Sequence, residues 1–180
     1  MKYTPSTESI PQSSRRAVNE KLLYLIDNNC CEAYGITKQD VFQGYTGDGG
    51  LHGLSRKNYR SYHTYSEAKK ELENGQFFTP PALCQFVADC LRLEEDDLVA
   101  DLTCGMGNFF NVMPVEANVY GCELDTKAFK VVSYLYPEAN LVNKDIRNYM
   151  PQVRFDYVVG NPPFNLSLIH ISEPTRRRGI

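Results

Sequence analysis

The chain has 180 residues, 42% of them hydrophobic, with 19 basic and 22 acidic side chains and a formal charge of −3. That length and apolar content suit one globular domain; no apolar run is long enough to span a bilayer, and the start lacks the charged-then-apolar pattern of a secretory leader. The six cysteines at 30, 31, 84, 90, 104 and 122 include no C-x-x-C pair and several fall on predicted core elements, so reduced thiols in a cytoplasmic protein are expected, with no disulfide, metal or membrane.

Met1 to Ser14 is polar, carries Pro5 and Pro11, and reads as a loose arm. Arg16 to Asn28 places Val18, Leu22, Leu23, Tyr24 and Ile26 at helical spacing, an amphipathic helix. Gly44 to Gly53 reads as a glycine-rich turn; a phosphate cradle there lacks a lysine at P-loop spacing, since the nearest is Lys57. Arg56 to Tyr65 interleaves basic and aromatic residues, with Lys69 and Lys70 beyond. Single-strand binders use that pattern, and so do solvated linkers. Ser66 to Asn74 is a charged helix. Residues 1–74 thus form an N-terminal arm and helical extension, without an internal repeat.

Gly75-Gln76-Phe77-Phe78-Thr79-Pro80-Pro81 follows. Thr79 suits the cap of a helix whose first residue is Pro80, with Leu83, Val87, Cys90 and Leu91 on one face. Asp97 to Ala100 reads as a buried strand, and Asp101-Leu102-Thr103-Cys104-Gly105-Met106-Gly107-Asn108 follows it. A strand, a glycine bend and a short helix direct backbone N–H groups at a ligand on the carboxyl edge of a sheet. Gly105 and Gly107 allow close backbone approach, while Cys104 is small packing rather than a nucleophile. Position 110 holds Phe where a dinucleotide fingerprint needs its third glycine, which favours a cofactor without a pyrophosphate.

Val119 to Asp125 reads as a strand ending in acids. Asp125 suits the N-cap of a helix from Thr126 to Tyr136, which leaves Glu123, 22 residues beyond Asp101, for a ribose diol. Asn140 to Ile146 is a further short strand with an acid past its end. Asp145 could accept from an adenine amino group while Ile146 packs on the ring, although taken alone these residues read better as a solvated loop acid. Phe155 to Gly160 is an apolar strand that runs into Asn161-Pro162-Pro163-Phe164. An amide, two ring-locked residues and an aromatic pack poorly at the end of a buried strand. They suit a clamp for an exocyclic amine on a flat base.

These blocks, in this order, resemble the class I S-adenosylmethionine-dependent methyltransferases, and among them the N6-adenine DNA methyltransferases of restriction–modification systems. The resemblance covers about residues 75–166. It implies an α/β fold with a Rossmann-like class I methyltransferase sheet, of which about four strands are readable here, behind the helical extension. Phe78, Thr79 and Pro80 are then expected over the methionine end of S-adenosylmethionine. Asp101, Thr103, Cys104, Gly105, Gly107, Asn108, Glu123, Leu124, Asp145, Ile146 and Asn161 are expected to line the rest. Asn161, Pro162, Pro163 and Phe164 are expected to hold an adenine flipped out of double-stranded DNA. Leu102-Thr103 and Asn108 depart from the commoner family residues. Family members act alone, pair with a specificity subunit, or are fused to a nuclease or helicase. The same clamp also serves a glutamine amide in a release factor or an amine of ribosomal RNA. An inactive cofactor-binding fragment is a further alternative. Phe164 and the Phe-Thr-Pro-Pro block favour DNA adenine.

Leu166 to Arg176 matches one reading frame of a sequencing-library adapter, so residues 167–180 are read as a non-native tail. Without that tail the charge is −5. On this reading the gene is cut after its catalytic motif, the DNA-recognition region is missing and the fragment does not act alone.

Overall fold

The computed structural model describes residues 1–8, 10–47, 56–73 and 77–162. The glycine-rich turn beyond Gly47, Asn74 to Gln76, Pro163, Phe164 and the tail lie outside these. Helices α1 (Gln12–Asp27), α2 (Lys38–Gly44) and α3 (Tyr62–Glu73) come first. Then follow α4 (Pro81–Leu91), β1 (Val99–Asp101), β2 (Val119–Glu123), α5 (Thr126–Leu135), β3 (Asn140–Asn143) and β4 (Tyr157–Val159).

The four strands pair in parallel in the order β3-β2-β1-β4. The chain therefore moves outward from β1 to β3 and then returns to the other side of β1. Such a reversal is a topological switch point, and in open sheets of this kind ligands bind in the crevice at the carboxyl ends of the strands there. Every residue of β1 is buried, as the middle strand of a covered sheet should be.

α5 forms where the sequence predicts. Asp125 is its N-cap and accepts from the Ala128 N–H at 2.8 Å. Ala128, Val131, Val132 and Leu135 are all buried, at the i, i+3, i+4, i+7 spacing of one helical face. α1 and α2 pack on α5, and their Leu22, Leu25, Val41 and Phe42 share one apolar cluster with Phe110, Val119 and Tyr136. α2 is not foreseen from the sequence, although Thr37 and Asp40 form a reciprocal capping box at its start.

Two expectations are corrected. The arm from Met1 to Ser14 is not loose at its start: Tyr3 is buried and its hydroxyl donates to the Leu135 carbonyl at 2.7 Å. The start of α4 lies one residue later than predicted, with Pro80 as N-cap and Pro81 inside the helix, so Thr79 does not cap it. A residue before proline is pushed to extended backbone, and Pro80, with ψ 134°, obeys that rule against Pro81. The predicted apolar face is met in part: Val87 and Leu91 pack against the core cluster. Cys84 and Ala88 are buried, whereas Leu83 is largely exposed and Cys90 exposed. All six cysteines are free thiols. Among the described residues no helix is long and apolar enough to cross a membrane, and no cluster of three metal-ligating side chains is present.

Candidate functional site

Asp101 ends β1 at the centre of the sheet and is 3% exposed. Its Oδ1 accepts from the Thr103 N–H at 3.0 Å, which turns the chain into the glycine loop. Burial pushes its carboxyl up to about 7; the Thr103 bond opposes this and nearby Glu123 adds to it. Gly160, just after β4, lies against the same carboxylate. A Cβ there would stand 3.0 Å from Asp101 Oδ1, so glycine is what lets the β4 exit pass over the acid.

The loop after β1 is held from below. The Gly105 N–H donates to Glu123 Oε2 at 2.7 Å, and the Asp125 N–H donates to Oε1 at 2.8 Å. Glu123 is thus not left free, as the sequence reading expects; it joins the loop to the end of β2. Burial raises its carboxyl above the usual range. Gly105 has φ +56°, and a Cβ on it would lie 2.9 Å from the Phe78 ring. The close approach at Gly105 is therefore that of Phe78, whose ring in turn stacks on Tyr45 with centroids 6.1 Å apart and planes at 29°.

Gly107 has a different reason from the one expected. Its φ is +85°, and a Cβ would meet Tyr136 at 2.7 Å and Val132 at 2.8 Å. The packing of the loop on α5 by itself requires glycine here. Cys104 is buried, and burial raises its thiol well above the ordinary value, which suits packing and not nucleophilic attack.

One open cleft gathers much of the predicted set. Phe78, Thr79, Asp101, Thr103, Cys104, Gly105, Asn108 and Asn161 all line it. Phe77 and Phe109 line it too and were not singled out from the sequence. Thr79 contributes by its backbone: its carbonyl accepts from Asn108 Nδ2 at 2.6 Å, which ties the 77–80 segment to the glycine loop. Pro80 and Pro162 are exposed next to lining residues.

Leu124, Asp145 and Ile146 are not in that lining. They stand further along the same carboxyl edge, past β2 and β3, with Leu124 61% and Ile146 39% exposed. The Asp145 carboxylate is already engaged: it caps a short turn at the Arg147 N–H and pairs with Arg147 Nη2 at 2.5 Å. Those bonds hold its carboxyl down at about 2. Pro163 and Phe164 lie outside the described residues.

Among the described residues that line it, the cleft has one ionisable acid, three phenylalanine rings and no lysine or arginine. A phosphate-bearing ligand usually wants cationic or helix-terminal donors. An acid among aromatic faces suits a cationic ligand of modest size.

The family model described as N-6 DNA Methylase matches residues 61–178, a span that includes part of the segment read as a tail. The chain is 29% identical over 122 residues to the type I restriction enzyme MjaIX methylase subunit of Methanocaldococcus jannaschii, covering 56% of this chain and 21% of that one. It is 24% identical over 157 residues to the defense against restriction protein B of Escherichia phage P1, covering 83% of this chain and 6% of that one. Among solved structures, a protein from Pyrococcus horikoshii described as an RNA methyltransferase superposes with a TM-score of 0.41 at 25% identity, covering 49% of each chain. The chain thus spans only 21% and 6% of the length of these two curated relatives.

Proposed function

The chain belongs to the N-6 DNA methylase family, and from that premise we propose that it carries the cofactor-binding and catalytic elements of an enzyme that methylates N6 of adenine in DNA within a restriction–modification system. The observation that carries this reading is the meeting of Asn161 with Asp101, Thr79 and Phe78 around one cleft at the sheet reversal. The methylase-subunit relative supports work alongside further subunits that read the DNA site.

The residues present fit S-adenosylmethionine. Its sulfonium and ammonium are cations, and the lining offers an acid and aromatic faces. Asp101, Thr103, Gly105 and Asn108 would hold it from the sheet side, with Phe78 and Thr79 across the cleft. Glu123 would act through the Gly105 N–H that it already holds. When bound, the cofactor supplies a methyl group on a sulfonium, a good leaving group that needs no metal.

The work left to this chain is on the amine. The adenine N6 lone pair is delocalised into the ring, so N6 is a poor nucleophile. Asn161 Oδ1 and the Pro162 carbonyl oxygen would each accept one N6 hydrogen. Both contacts favour tetrahedral nitrogen, whose lone pair is available for attack. Proline fixes φ near −65°, which sets the direction of that carbonyl before the base arrives. Preorganised contacts of this kind contribute roughly 3–4 kcal/mol each in the transition state. The base must leave the duplex first, since its amino group is otherwise paired; unstacking costs a few kcal/mol.

Asn161→Ala in the complete enzyme is expected to lower methyl transfer at least ~10²-fold while cofactor affinity changes little. Transfer of a tritiated methyl group to DNA measures the first, and calorimetry the second. Equal transfer by the variant would sink the mechanism.

A further inference from the structure

The basic and aromatic residues from Arg56 to Tyr65 do not line the cleft, and the proposed mechanism gives them no task. Their local structure is nevertheless specific. Arg56–Asn58 form a short 3-10 turn, and Arg56 Nη1 donates to the Tyr59 carbonyl at 2.6 Å just beyond it. Ser61 Oγ then accepts from the Thr64 N–H at 3.2 Å, which caps the start of α3. Tyr62 and Tyr65 are three positions apart on α3 and so share one face. The Tyr65 ring meets Tyr59 edge-on with centroids 5.7 Å apart, and it meets Tyr62 at 6.2 Å with planes tilted by 47°. A solvated linker has no reason to gather three rings. Tyr59 and Tyr65 are partly buried, while Tyr62 is 71% exposed, so two rings support a third that stands in solvent.

The charge around these rings has one sign. Arg56, Lys57 and Arg60 are exposed, and no Asp or Glu occurs from residue 56 to residue 66, in a chain whose net charge is −3. The first acid beyond them, Glu67, has its carboxylate 3.3 Å from His63 Nδ1. Three cations beside a bare ring fit a strand that carries phosphates and unpaired bases. The phosphates answer the cations, and any base can stack on the ring. An acidic peptide would answer the cations and leave the Tyr62 face in water. An apolar partner would cover the ring and strand the cations. The chain also limits how far this surface can lie from the cleft. Phe77 lines the cleft four residues after Glu73, the end of α3, a step of at most about 14 Å. α3 itself is about 17 Å long at its 12 residues. Tyr62 is therefore within about 31 Å of Phe77, less than one turn of duplex DNA at about 34 Å.

We propose that Tyr62, with Arg56, Lys57 and Arg60, forms a second nucleic-acid contact, outside the cleft, that binds unpaired DNA strand without regard to sequence. The cations take neighbouring phosphates, and one base stacks on the exposed Tyr62 ring. The choice of DNA rests on the methylase reading given above. Taking an adenine out of the duplex unstacks its surroundings, and a contact within one turn that holds an opened strand offsets part of that cost.

The test uses the full chain, without cofactor, and a fluorescently labelled oligothymidylate, alone or annealed to oligoadenylate. Fluorescence anisotropy over a range of salt gives the dissociation constants. The wild type is expected to bind the single strand more tightly than the duplex, whose paired bases offer Tyr62 no free face. Tyr62→Ala is expected to weaken the single strand about tenfold, the worth of one stacked base, while Tyr62→Phe, which keeps the ring, stays within about twofold of wild type. Lys57→Gln combined with Arg60→Gln is expected to reduce the slope of log affinity against log salt by about 0.7 for each charge removed. Two controls on α1 match these changes: Tyr24→Ala, which removes a ring 61% exposed, and Lys21→Gln, at an exposed cation. Both are expected to leave binding unchanged. Equal weakening by Tyr24→Ala overturns the proposal, as does an unaffected Tyr62→Ala or a wild type that binds neither form. Duplex and single strand bound alike, with loss only in the charge variants, would show a phosphate surface without stacking and overturn it too. Methyl transfer enters none of these measurements, so their failure leaves the methylase reading standing, and failure of the Asn161→Ala prediction leaves this surface in place.

Discussion

Asn111 holds the backbone of Tyr3 at both ends: its Oδ1 accepts from the Tyr3 N–H, and its Nδ2 donates to the Tyr3 carbonyl at 2.8 Å. The two residues are 108 positions apart. Asn111 is 1% exposed and its own N–H donates to the Gly107 carbonyl at 3.3 Å. Tyr3 stacks on Phe42 and meets Tyr136 edge-on. The start of the chain is therefore hooked to the far end of the glycine loop, and the loop, α2 and α5 close on one another through it.

Removing that hook is expected to be costly. Asn111→Ala leaves a buried N–H and a buried carbonyl without partners, each worth about 1–3 kcal/mol. A loss of about 2–4 kcal/mol follows, and for a domain of this size each kcal/mol lowers Tm by roughly 2–4 °C. Urea unfolding measures the first figure and calorimetry the second. An unchanged midpoint would mean that residues 2–4 are not seated on the loop in solution.

Tyr45 links the helical extension to the cleft. It is 3% exposed, and Asn19 of α1 seats it by bonding both the N–H and the carbonyl of Thr46. Its ring supports Phe78, which covers Gly105. Tyr45→Ala opens a cavity worth about 3 kcal/mol or more and leaves Phe78 without a backing. Cofactor affinity is expected to fall several-fold, and Tyr45→Phe, which keeps the ring, is expected to restore it. Calorimetric titration of the three proteins tests this. If Tyr45→Ala binds as tightly as wild type, Phe78 needs no support from the extension.

What was readable in advance follows from how local its cause is. Asp125 bonds a residue three positions away, so its capping role is visible in the sequence and is realised in the structure. The apolar spacing of α5 is equally local. The start of α4 failed by one residue because two prolines adjoin, and the second restricts the first. Its apolar face was half legible: Val87 and Leu91 pack against the core as their spacing suggests, while Cys84 is buried in place of Leu83. Thr37 and Asp40 carried a local signal for α2 that was there to be read. The seats of Tyr3 and Tyr45 were not readable, since each depends on a residue brought near only by folding. The glycines show the same division. That positions 105 and 107 need glycine is local; that Gly105 makes room for Phe78 and Gly107 for Tyr136 is tertiary.

The buried acid predicts how binding and stability should move with pH. Asp101 ordinarily titrates near 3.9 in an unfolded chain. Burial raises it to about 7 in the fold, so between about pH 4 and pH 7 the folded state holds a proton that the unfolded state has released. Stability from this group is thus greatest below that window and is lost as pH rises through it. Glu123, also raised by burial, contributes in the same direction. A cationic ligand pulls the other way: it favours ionised Asp101, so cofactor affinity is expected to increase from pH 6 to pH 8 with release of a proton on binding. Calorimetry in two buffers of different ionisation enthalpy counts that proton. Asp101→Asn should lose most of the pH dependence of binding, bind the cofactor more weakly, and unfold at higher temperature than wild type at pH 8. An affinity that is flat from pH 6 to pH 8 in the wild type would show that Asp101 does not meet the charge of the ligand.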